Sequence, residues 1–348
     1  SKRSGRILEE TLAMEGPGAS FDFKKHVLLS EEAISSVQVH SLTEMGYDVK
    51  PGQLDFAYTD PFPFLSEEGL KLYREALTSP EVAQNCYYSS AMVPLTVRNA
   101  TSHSKFLHQM STDDQLLNAM QKVAGGGDTL QWHPFQLEQM MTNIQRVGVN
   151  KQAFAWHNDS NDFVILVQLS DIPEDAVGGG TLVQEKHGDG KVREVRAPKA
   201  GYAYLMQGKV VWHAGNASEN WIRCISIISF VSKNTLAVEC LEPDTVNLHL
   251  ARNYTPHDVL FKEYGSYRLK NSMEKLEFLA DKYFNGSCKF ESGESQGEVL
   301  KHLDHLIENL QITRHSLGLL PEWPNPPPAP LPFQDVPLAN LGFGLPKQ

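Results

Sequence analysis

The sequence predicts a mainly β core of jelly-roll type (a double-stranded β-helix) with helices on both flanks. About eight short runs rich in β-branched and aromatic residues follow one another between positions 137 and 231, separated by clusters of Gly, Asn and Asp. The segments before and after these runs have helical periodicity instead. Eight closely spaced strands are typical of two-sheet jelly rolls. We therefore expect a helical flank over 1–130, the catalytic core over 131–240, a second helical flank over 241–320 and a proline-rich arm over 321–348.

The first flank carries three helix-start signals. Ser30 and Ser66 each precede a pair of glutamates, and the segment Thr112–Asp114 precedes an apolar stripe. Small oxygen-bearing side chains at such positions accept hydrogen bonds from the first free N–H groups of a helix. The glycines at 125–127 end the third helix, because glycine readily adopts the backbone conformation that follows a helix.

The core is predicted from the alternation of apolar and polar residues over short runs. The eight candidate strands are Met141–Val147, Ala153–Asp159, Phe163–Leu169, Gly180–Gln184, Val192–Arg196, Tyr202–Met206, Val210–His213 and Ile222–Val231.

Helical patterns return after the core. Thr255-Pro256 is a plausible helix start, with proline at the first helical position. The segments Leu269–Phe284 and Glu298–Ile312 are both amphipathic. The segment Pro321–Pro332 contains seven prolines and is expected to be an extended arm.

Composition excludes several classes of function. The net charge is −11, with 31 basic and 42 acidic side chains, which argues against a nucleic-acid-binding surface. The longest apolar runs have the length of a strand, so no membrane span is expected. The four cysteines form no CxxC pair and no hydrophobic leader is visible, so we expect an intracellular, cytoplasmic protein.

The chemistry centres on the segment Trp156-His157-Asn158-Asp159. On a strand, residues two apart point to the same face, so His157 and Asp159 are predicted to project together. They could form a buried hydrogen-bonded pair, or they could supply two ligands of a divalent metal. His213 is the best candidate for a third ligand, since it ends an apolar run before a turn. Two imidazoles and one carboxylate leave coordination positions open, which suits Fe(II), whereas structural zinc favours four ligands, usually with sulfur.

Arg223 follows His213 after a turn of hairpin length, so the two are predicted to face each other across paired strands. A guanidinium buried among Ile and Val needs an anionic partner. A core or surface acid could provide it, and so could the distal carboxylate of a dicarboxylic co-substrate.

The order HxD, distal His and Arg resembles the pattern of the Fe(II)/2-oxoglutarate-dependent dioxygenases. The segment Asn143–Ser229, about a quarter of the chain, looks most like the prolyl-4-hydroxylase-type catalytic domain. The turn Gly178–Thr181 and the segment Pro198–Gly201 match as well. The flanks suggest a member from specialised metabolism.

This resemblance implies that His157, Asp159 and His213 bind iron and that Arg223 binds the C5 carboxylate of 2-oxoglutarate. The C1 carboxylate and keto oxygen of 2-oxoglutarate would chelate the metal, and O2 would take the last position. Oxidation of a substrate C–H bond would then release succinate and CO2. Family members that halogenate have a small residue in place of Asp159, so its presence favours hydroxylation, desaturation or ring closure.

The sequence departs from the family pattern at one point. Ile225 stands where a hydroxyl side chain often provides the second contact with 2-oxoglutarate, and Ser226 or a tyrosine could replace it. Tyr204 is a candidate for that contact, although core packing would explain it equally. Gln145, or alternatively Arg146, could contact the substrate, and Gln145 is also a candidate for the co-substrate site, although a polar strand residue is usually just solvated.

We therefore expect a small-molecule substrate, such as an amino acid or a derived metabolite. A hydroxylase of protein or peptide side chains is the alternative within enzymes. A non-catalytic metal-binding jelly roll is the alternative outside them.

Overall fold

A computed structural model describes residues 18–49, 53–88, 95–127, 129–145, 152–186, 190–232, 257–280, 283 and 293–319. The described residues form two compact units. All of those up to Val231, except Gln53, belong to the first unit, and the others belong to the second.

The first unit contains short helices and many strands. Its helices are α1 (Phe23–His26), α2 (Glu31–Ser35), α3 (Glu67–Thr78), α4 (Pro80–Asn85), α5 (Lys105–Met110), α6 (Asp114–Val123) and α7 (Gln136–Gln139). Its strands, of which the last ends at Ser232, are β1 (Val39–His40), β2 (Tyr58–Thr59), β3 (Phe62–Pro63), β4 (Tyr87–Tyr88), β5 (Thr96–Arg98), β6 (Leu130–Trp132), β7 (Met140–Gln145), β8 (Gln152–His157), β9 (Phe163–Gln168), β10 (Thr181–Gln184), β11 (Val192–Val195), β12 (Tyr202–Met206), β13 (His213–Asn216) and β14 (Arg223–Ser232).

The strands form two antiparallel sheets. Strands β12, β9, β14 and β7 lie side by side in the larger sheet, and β11, β10, β13 and β8 form the smaller one. The chain therefore passes between the sheets repeatedly from β7 to β14. This arrangement confirms a mainly β core with flanking helices.

The N-terminal flank also contributes strands, so the prediction that it is helical was incomplete. Strand β5 pairs with β7, and both β2 and β3 pair with β12. These short strands give hydrogen-bond partners to the outer strands of the core, whose backbone groups would otherwise be unpaired.

Side chains alternate between the two faces of each strand, so the two faces of the large sheet contribute to two different apolar clusters. On β14, Ile225 packs with Val183 of the small sheet, so this face of the large sheet points between the sheets. We call it the inner face. Phe230, five residues later, belongs to the cluster that contains Tyr73 of α3, and its face is covered by helices. Each residue's position on a strand thus decides whether it can reach the space between the sheets.

The three predicted helix starts are confirmed. Each capping side chain accepts a hydrogen bond from the backbone N–H three residues later, at 3.1 Å for Ser30, 3.0 Å for Ser66 and 2.8 Å for Asp113. The glycines at 125–127 follow the end of α6 and have positive φ. Local hydrogen bonding therefore sets these helix boundaries.

The second unit contains the helices α8 (His257–Ala280) and α9 (Gly293–Leu319). They run antiparallel, since Gly265 lies near Leu317 whereas Leu279 packs with Val299. Both predicted amphipathic segments begin inside these helices. The predictions for Arg146, Val147, Thr255-Pro256 and the arm over 321–348 concern segments outside the described residues.

Candidate metal centre

Two histidines meet at the edge of the small sheet. His157 is the last residue of β8 and His213 is the first residue of β13, and the two are direct partners in the antiparallel ladder. Their ring centroids lie 4.3 Å apart. The pairing of β8 with β13 therefore brings together side chains that are far apart in the sequence.

Each imidazole is oriented by its own chain segment. Nδ1 of His157 lies 2.7 Å from the carbonyl oxygen of Ala155, and Nδ1 of His213 lies 2.8 Å from that of Val211. Because a carbonyl oxygen can only accept, both Nδ1 atoms carry the proton and donate. The Nε2 atoms are then left with lone pairs, the form in which imidazole binds a metal.

Asp159 completes the cluster from just beyond the end of β8. Its Oδ1 lies 3.4 Å from Nε2 of His157 and 3.6 Å from Nε2 of His213. The three ligand atoms all lie within 4.8 Å of one another. The prediction that the strand continues to Asp159 was wrong, because β8 ends at His157. The predicted strand Val210–His213 was also wrong, since β13 only begins at His213.

The backbone of Asp159 is held by Gly208. The N–H of Asp159 donates to the carbonyl oxygen of Gly208 at 2.9 Å. A Cβ atom at position 208 would collide with Oδ2 of the Asp159 carboxylate. Sequence analysis did not select Gly208, since nothing in the sequence shows which segment approaches the carboxylate.

The cluster also shifts the pKa values of its members. Burial would raise the pKa of Asp159, but the attraction of His213 and the close approach of both imidazoles hold it well below its usual range. For His157, burial acts to lower the pKa, and the interactions with Asp159 outweigh this and raise it. The carboxylate is therefore ionised at neutral pH, as a metal ligand must be.

Arg223 lies on the other sheet. It begins β14 and is the ladder partner of Gln145 on β7. The prediction that Arg223 and His213 face each other across paired strands was wrong, because β13 pairs with β10 and β8 in the small sheet. Arg223 shares a face with Ile225, two residues later, so its buried side chain points between the sheets.

Tyr204 connects the two sheets near Arg223. Its hydroxyl lies 2.7 Å from Oγ1 of Thr181, on β10 of the small sheet. Burial raises the pKa of Tyr204, and the charge of Arg223 acts to lower it. A buried cation and two hydroxyl groups thus lie together between the sheets.

Ser226 cannot replace the hydroxyl that is missing at position 225. Its side chain is hydrogen-bonded to Tyr73 of α3 and to Thr142, on the face that helices cover. Ser226 lies three residues after Arg223, and an odd separation along a strand places two side chains on opposite faces. The sequence alone could therefore have excluded Ser226. Tyr204 is the hydroxyl-bearing candidate on the correct face.

Gln145 and Asn143 present unpaired polar atoms on the inner face of β7. Within the described part of the chain, neither Oε1 nor Nε2 of buried Gln145 has a hydrogen-bond partner, nor does Oδ1 of Asn143. Nε of Arg223 likewise has no hydrogen-bond partner among the described residues. Buried polar atoms without a partner are rare and call for a ligand, an ion or water.

None of the described helices is both long and apolar enough to cross a membrane.

No protein-family model matches the chain, and no curated protein matches it in sequence. Solved structures do resemble it. The non-haem alpha-ketoglutarate-dependent carbocyclase SnoK from nogalamycin biosynthesis is 14% identical, over 68% of this chain and 94% of its own, with a TM-score of 0.41. EctD from S. alaskensis, solved with 2-oxoglutarate and 5-hydroxyectoine, is 13% identical, over 64% of this chain and 83% of its own, with a TM-score of 0.37.

A third solved structure is an oxidoreductase of the 2OG-Fe(II) oxygenase family from Burkholderia pseudomallei. It is 12% identical, over 48% of this chain and 79% of its own, with a TM-score of 0.36. Two of these descriptions name alpha-ketoglutarate dependence or the 2OG-Fe(II) oxygenase family, and the remaining structure was solved with 2-oxoglutarate. Because every TM-score is below one half, the assignment of function depends on the residues of the site itself.

Proposed function

We propose that the chain is an Fe(II)- and 2-oxoglutarate-dependent dioxygenase with a jelly-roll core. The observation that carries this proposal is the convergence of His157, Asp159 and His213, whose ligand atoms lie within 4.8 Å of one another. His157 and His213 lie at the paired ends of β8 and β13, and Asp159 lies just beyond β8. Three protein ligands leave coordination positions on the metal open for other ligands. A structural zinc site would be closed by a fourth ligand, and no fourth His, Cys, Asp or Glu joins this cluster among the described residues.

The order of the strands supports the jelly roll. The strands from β7 to β14 divide between the two sheets as β12-β9-β14-β7 and β11-β10-β13-β8. Two antiparallel sheets formed in this way are typical of a double-stranded β-helix.

Iron fits the donor set of this site. Both Nε2 atoms are prepared as ligands by the hydrogen bonds that their rings donate to Ala155 and Val211. Asp159 adds a negative charge and is held in place by Gly208. When bound, Fe(II) with 2-oxoglutarate and O2 supplies the oxidant for a substrate C–H bond, and succinate and CO2 are released.

Arg223 supports 2-oxoglutarate as the co-substrate. The guanidinium is buried between the sheets, and no Asp or Glu of the described residues is buried with it. A buried guanidinium is costly without an anion, and a carboxylate is its best planar partner. The C5 carboxylate of 2-oxoglutarate would accept hydrogen bonds from Arg223 and from the hydroxyl of Tyr204.

The substrate is a polar small molecule. The unpaired amide groups of Gln145 and Asn143 offer both a donor and acceptors beside Arg223. Such groups favour a substrate that can form hydrogen bonds, as an amino acid or a derived metabolite does, because an apolar substrate would leave them buried and unpaired. Since Asp159 occupies the third ligand position, the reaction is hydroxylation, desaturation or ring closure rather than halogenation.

The test is an anaerobic titration of the metal-free protein with Fe(II) and then 2-oxoglutarate. We expect a weak visible charge-transfer band from the chelate, and we expect His157→Ala and His213→Ala to lose both the band and Fe(II) binding while they keep the far-UV circular dichroism of the wild type. Iron binding without a band would contradict the use of 2-oxoglutarate. Full activity in either alanine variant would overturn the metal assignment.

A further inference from the structure

The contact between α8 and α9 includes buried polar groups beside its buried apolar side chains. The guanidinium of Arg268 donates to Oγ1 of Thr313 at 3.1 Å and to the carbonyl oxygen of Asn309 at 3.2 Å, and all three residues are buried. Ser272 and His302 are also buried. Directional hydrogen bonds of this kind fix which residues of the two helices meet.

The outward side of the same pair is apolar. Seven large aliphatic side chains are between 37% and 58% exposed, and they are Leu269, Met273, Leu276, Leu300, Leu303, Ile307 and Leu310. On α9 they recur at intervals of three and four residues, the spacing of a helix stripe that packs against another helix. Single exposed apolar side chains are common on soluble proteins, but a group of large ones on one side is the informative observation.

The exposed stripes of the two helices lie on the same side. On α8, exposed Leu269 directly follows buried Arg268, and on α9, exposed Ile307 directly follows buried Leu306. One residue corresponds to a rotation of about 100° around a helix. Each exposed residue is therefore turned by this angle from the side that faces the other helix. Because the helices are antiparallel, the turn leads to the same side of the pair for both stripes. The seven side chains therefore form one continuous surface, here called the apolar face.

The size of the apolar face is that of an interface. Side chains of this size, about half exposed, present roughly 600 Å² per chain and roughly 1,200 Å² for a pair of chains, which reaches the range of stable specific interfaces. A continuous apolar surface of that size is at the upper end of what single soluble chains expose, and such patches are often interaction sites.

We propose that a second copy of this chain covers the apolar face, so that α8 and α9 of both copies form a four-helix bundle. The inference is independent of the proposed enzymatic function. An apolar surface is complementary to itself, as a two-fold dimer interface requires.

Charges around the apolar face favour one orientation of the second copy. Lys262 and Arg314 continue the stripes at one end, whereas Glu277 and Asp304 border the face toward the other end, and all four are exposed. A two-fold axis perpendicular to the helices places the positive end of one copy against the negative end of its partner. An axis parallel to the helices would place like charges together.

The test is sedimentation velocity of the full chain over a wide range of protein concentration. We expect a dimer for the wild type and a monomer for Ile307→Lys, because the variant buries a charge in the bundle. His305→Lys adds the same side chain two residues earlier, about 160° away around the helix and outside the stripe, where His305 is 40% exposed, and it should remain dimeric. A monomeric wild type would overturn the proposal, and so would an Ile307→Lys variant that stays dimeric. Far-UV circular dichroism checks that the variants are folded.

Disulfide trapping provides a second test that does not require weakening the interface. Met273 lies near the middle of the apolar face, so the proposed axis brings it close to the same residue of the partner. Met273→Cys should form a disulfide-linked dimer under mild oxidation, whereas Leu269→Cys and the wild type, with its native cysteines, should not. Equal cross-linking of all three proteins would contradict the proposed arrangement.

Discussion

The two candidate metal-binding imidazoles are oriented by carbonyl groups of their own backbone. His157 and His213 each donate from Nδ1 to the residue two positions earlier, so neither depends on a second side chain for its tautomer. Asp159, in contrast, depends on the distant Gly208 for its position. The carboxylate is therefore the ligand whose placement is most sensitive to substitution elsewhere in the chain.

Gly208→Ala should weaken metal binding by at least about tenfold, because the new methyl group would displace the Asp159 carboxylate. The φ angle of Gly208 is not positive, so alanine is compatible with the backbone and the effect is steric. Calorimetric titration with Fe(II) or Mn(II) measures it. Gly265→Ala is the control, since its Cβ would make only an ordinary contact with Leu317. An unchanged metal affinity in Gly208→Ala would show that the carboxylate can move without loss.

Arg223→Leu should weaken 2-oxoglutarate binding by at least about tenfold, because it removes charged hydrogen bonds to the carboxylate. Tyr204→Phe should have a smaller effect in the same direction. Ser226→Ala is the matched control, since Ser226 lies on the helix-covered face and is bonded to Tyr73. It should leave 2-oxoglutarate affinity unchanged and lower the free energy of unfolding by about 1 kcal/mol. Equal affinities for wild type and Arg223→Leu would make Arg223 a structural residue.

Among the elements, helix α3 has its N-terminal end held by the hydroxyl group of Ser66. The Ser66 side chain accepts from the N–H of Gly69 and donates to the carbonyl oxygen of Lys25, at 3.0 and 2.7 Å. It therefore caps α3 and ties it to the end of α1. Helix α3 supplies Tyr73 to the face of the large sheet opposite the candidate site.

Ser66→Ala should lower the free energy of unfolding by about 1 kcal/mol, the usual cost of losing a helix cap. Urea denaturation followed by circular dichroism measures the change. Ser66→Thr keeps a hydroxyl that can both accept and donate, and it should retain most of the stability. If the alanine variant unfolded at the same urea concentration as the wild type, water would be replacing the hydroxyl without cost.

Sequence patterns predicted the elements better than the contacts between them. The spacing of His157 and Asp159 and the later His213 predicted a three-residue cluster that the structure brings together. The pairing of His213 with Arg223 was wrong, because short spacing predicts a hairpin only if the chain stays in one sheet. Gly208 could not be found from the sequence, since its role arises from an approach between segments that no local pattern encodes.

At the scale of the whole molecule, the candidate site belongs entirely to the first unit. A ligand that binds only the folded state stabilises that state, by about 2.7 kcal/mol when its concentration is a hundred times its dissociation constant. The second unit, with α8 and α9, contributes no residue to the described cluster.

Adding Mn(II) and 2-oxoglutarate without oxygen should slow amide hydrogen exchange in β8, β13 and β14. Exchange in α8 and α9 should change much less, because these helices belong to the other unit. Hydrogen-exchange mass spectrometry with and without the ligands measures both effects. Equal protection of α8 and α9 would show that the two units open together, and no protection in β8 or β13 would contradict the metal site.

The division of the site between two sheets has a consequence for how the protein matures. The imidazoles come from the small sheet, whereas Arg223 comes from the large one, and the strands that carry them are joined by contacts between distant parts of the chain. Such non-local pairing makes folding slow, since long loops must close before these contacts form. A nascent chain would therefore have no complete binding site until both sheets have assembled. Cofactor capture should be among the last events in biogenesis, after the backbone has reached its native topology.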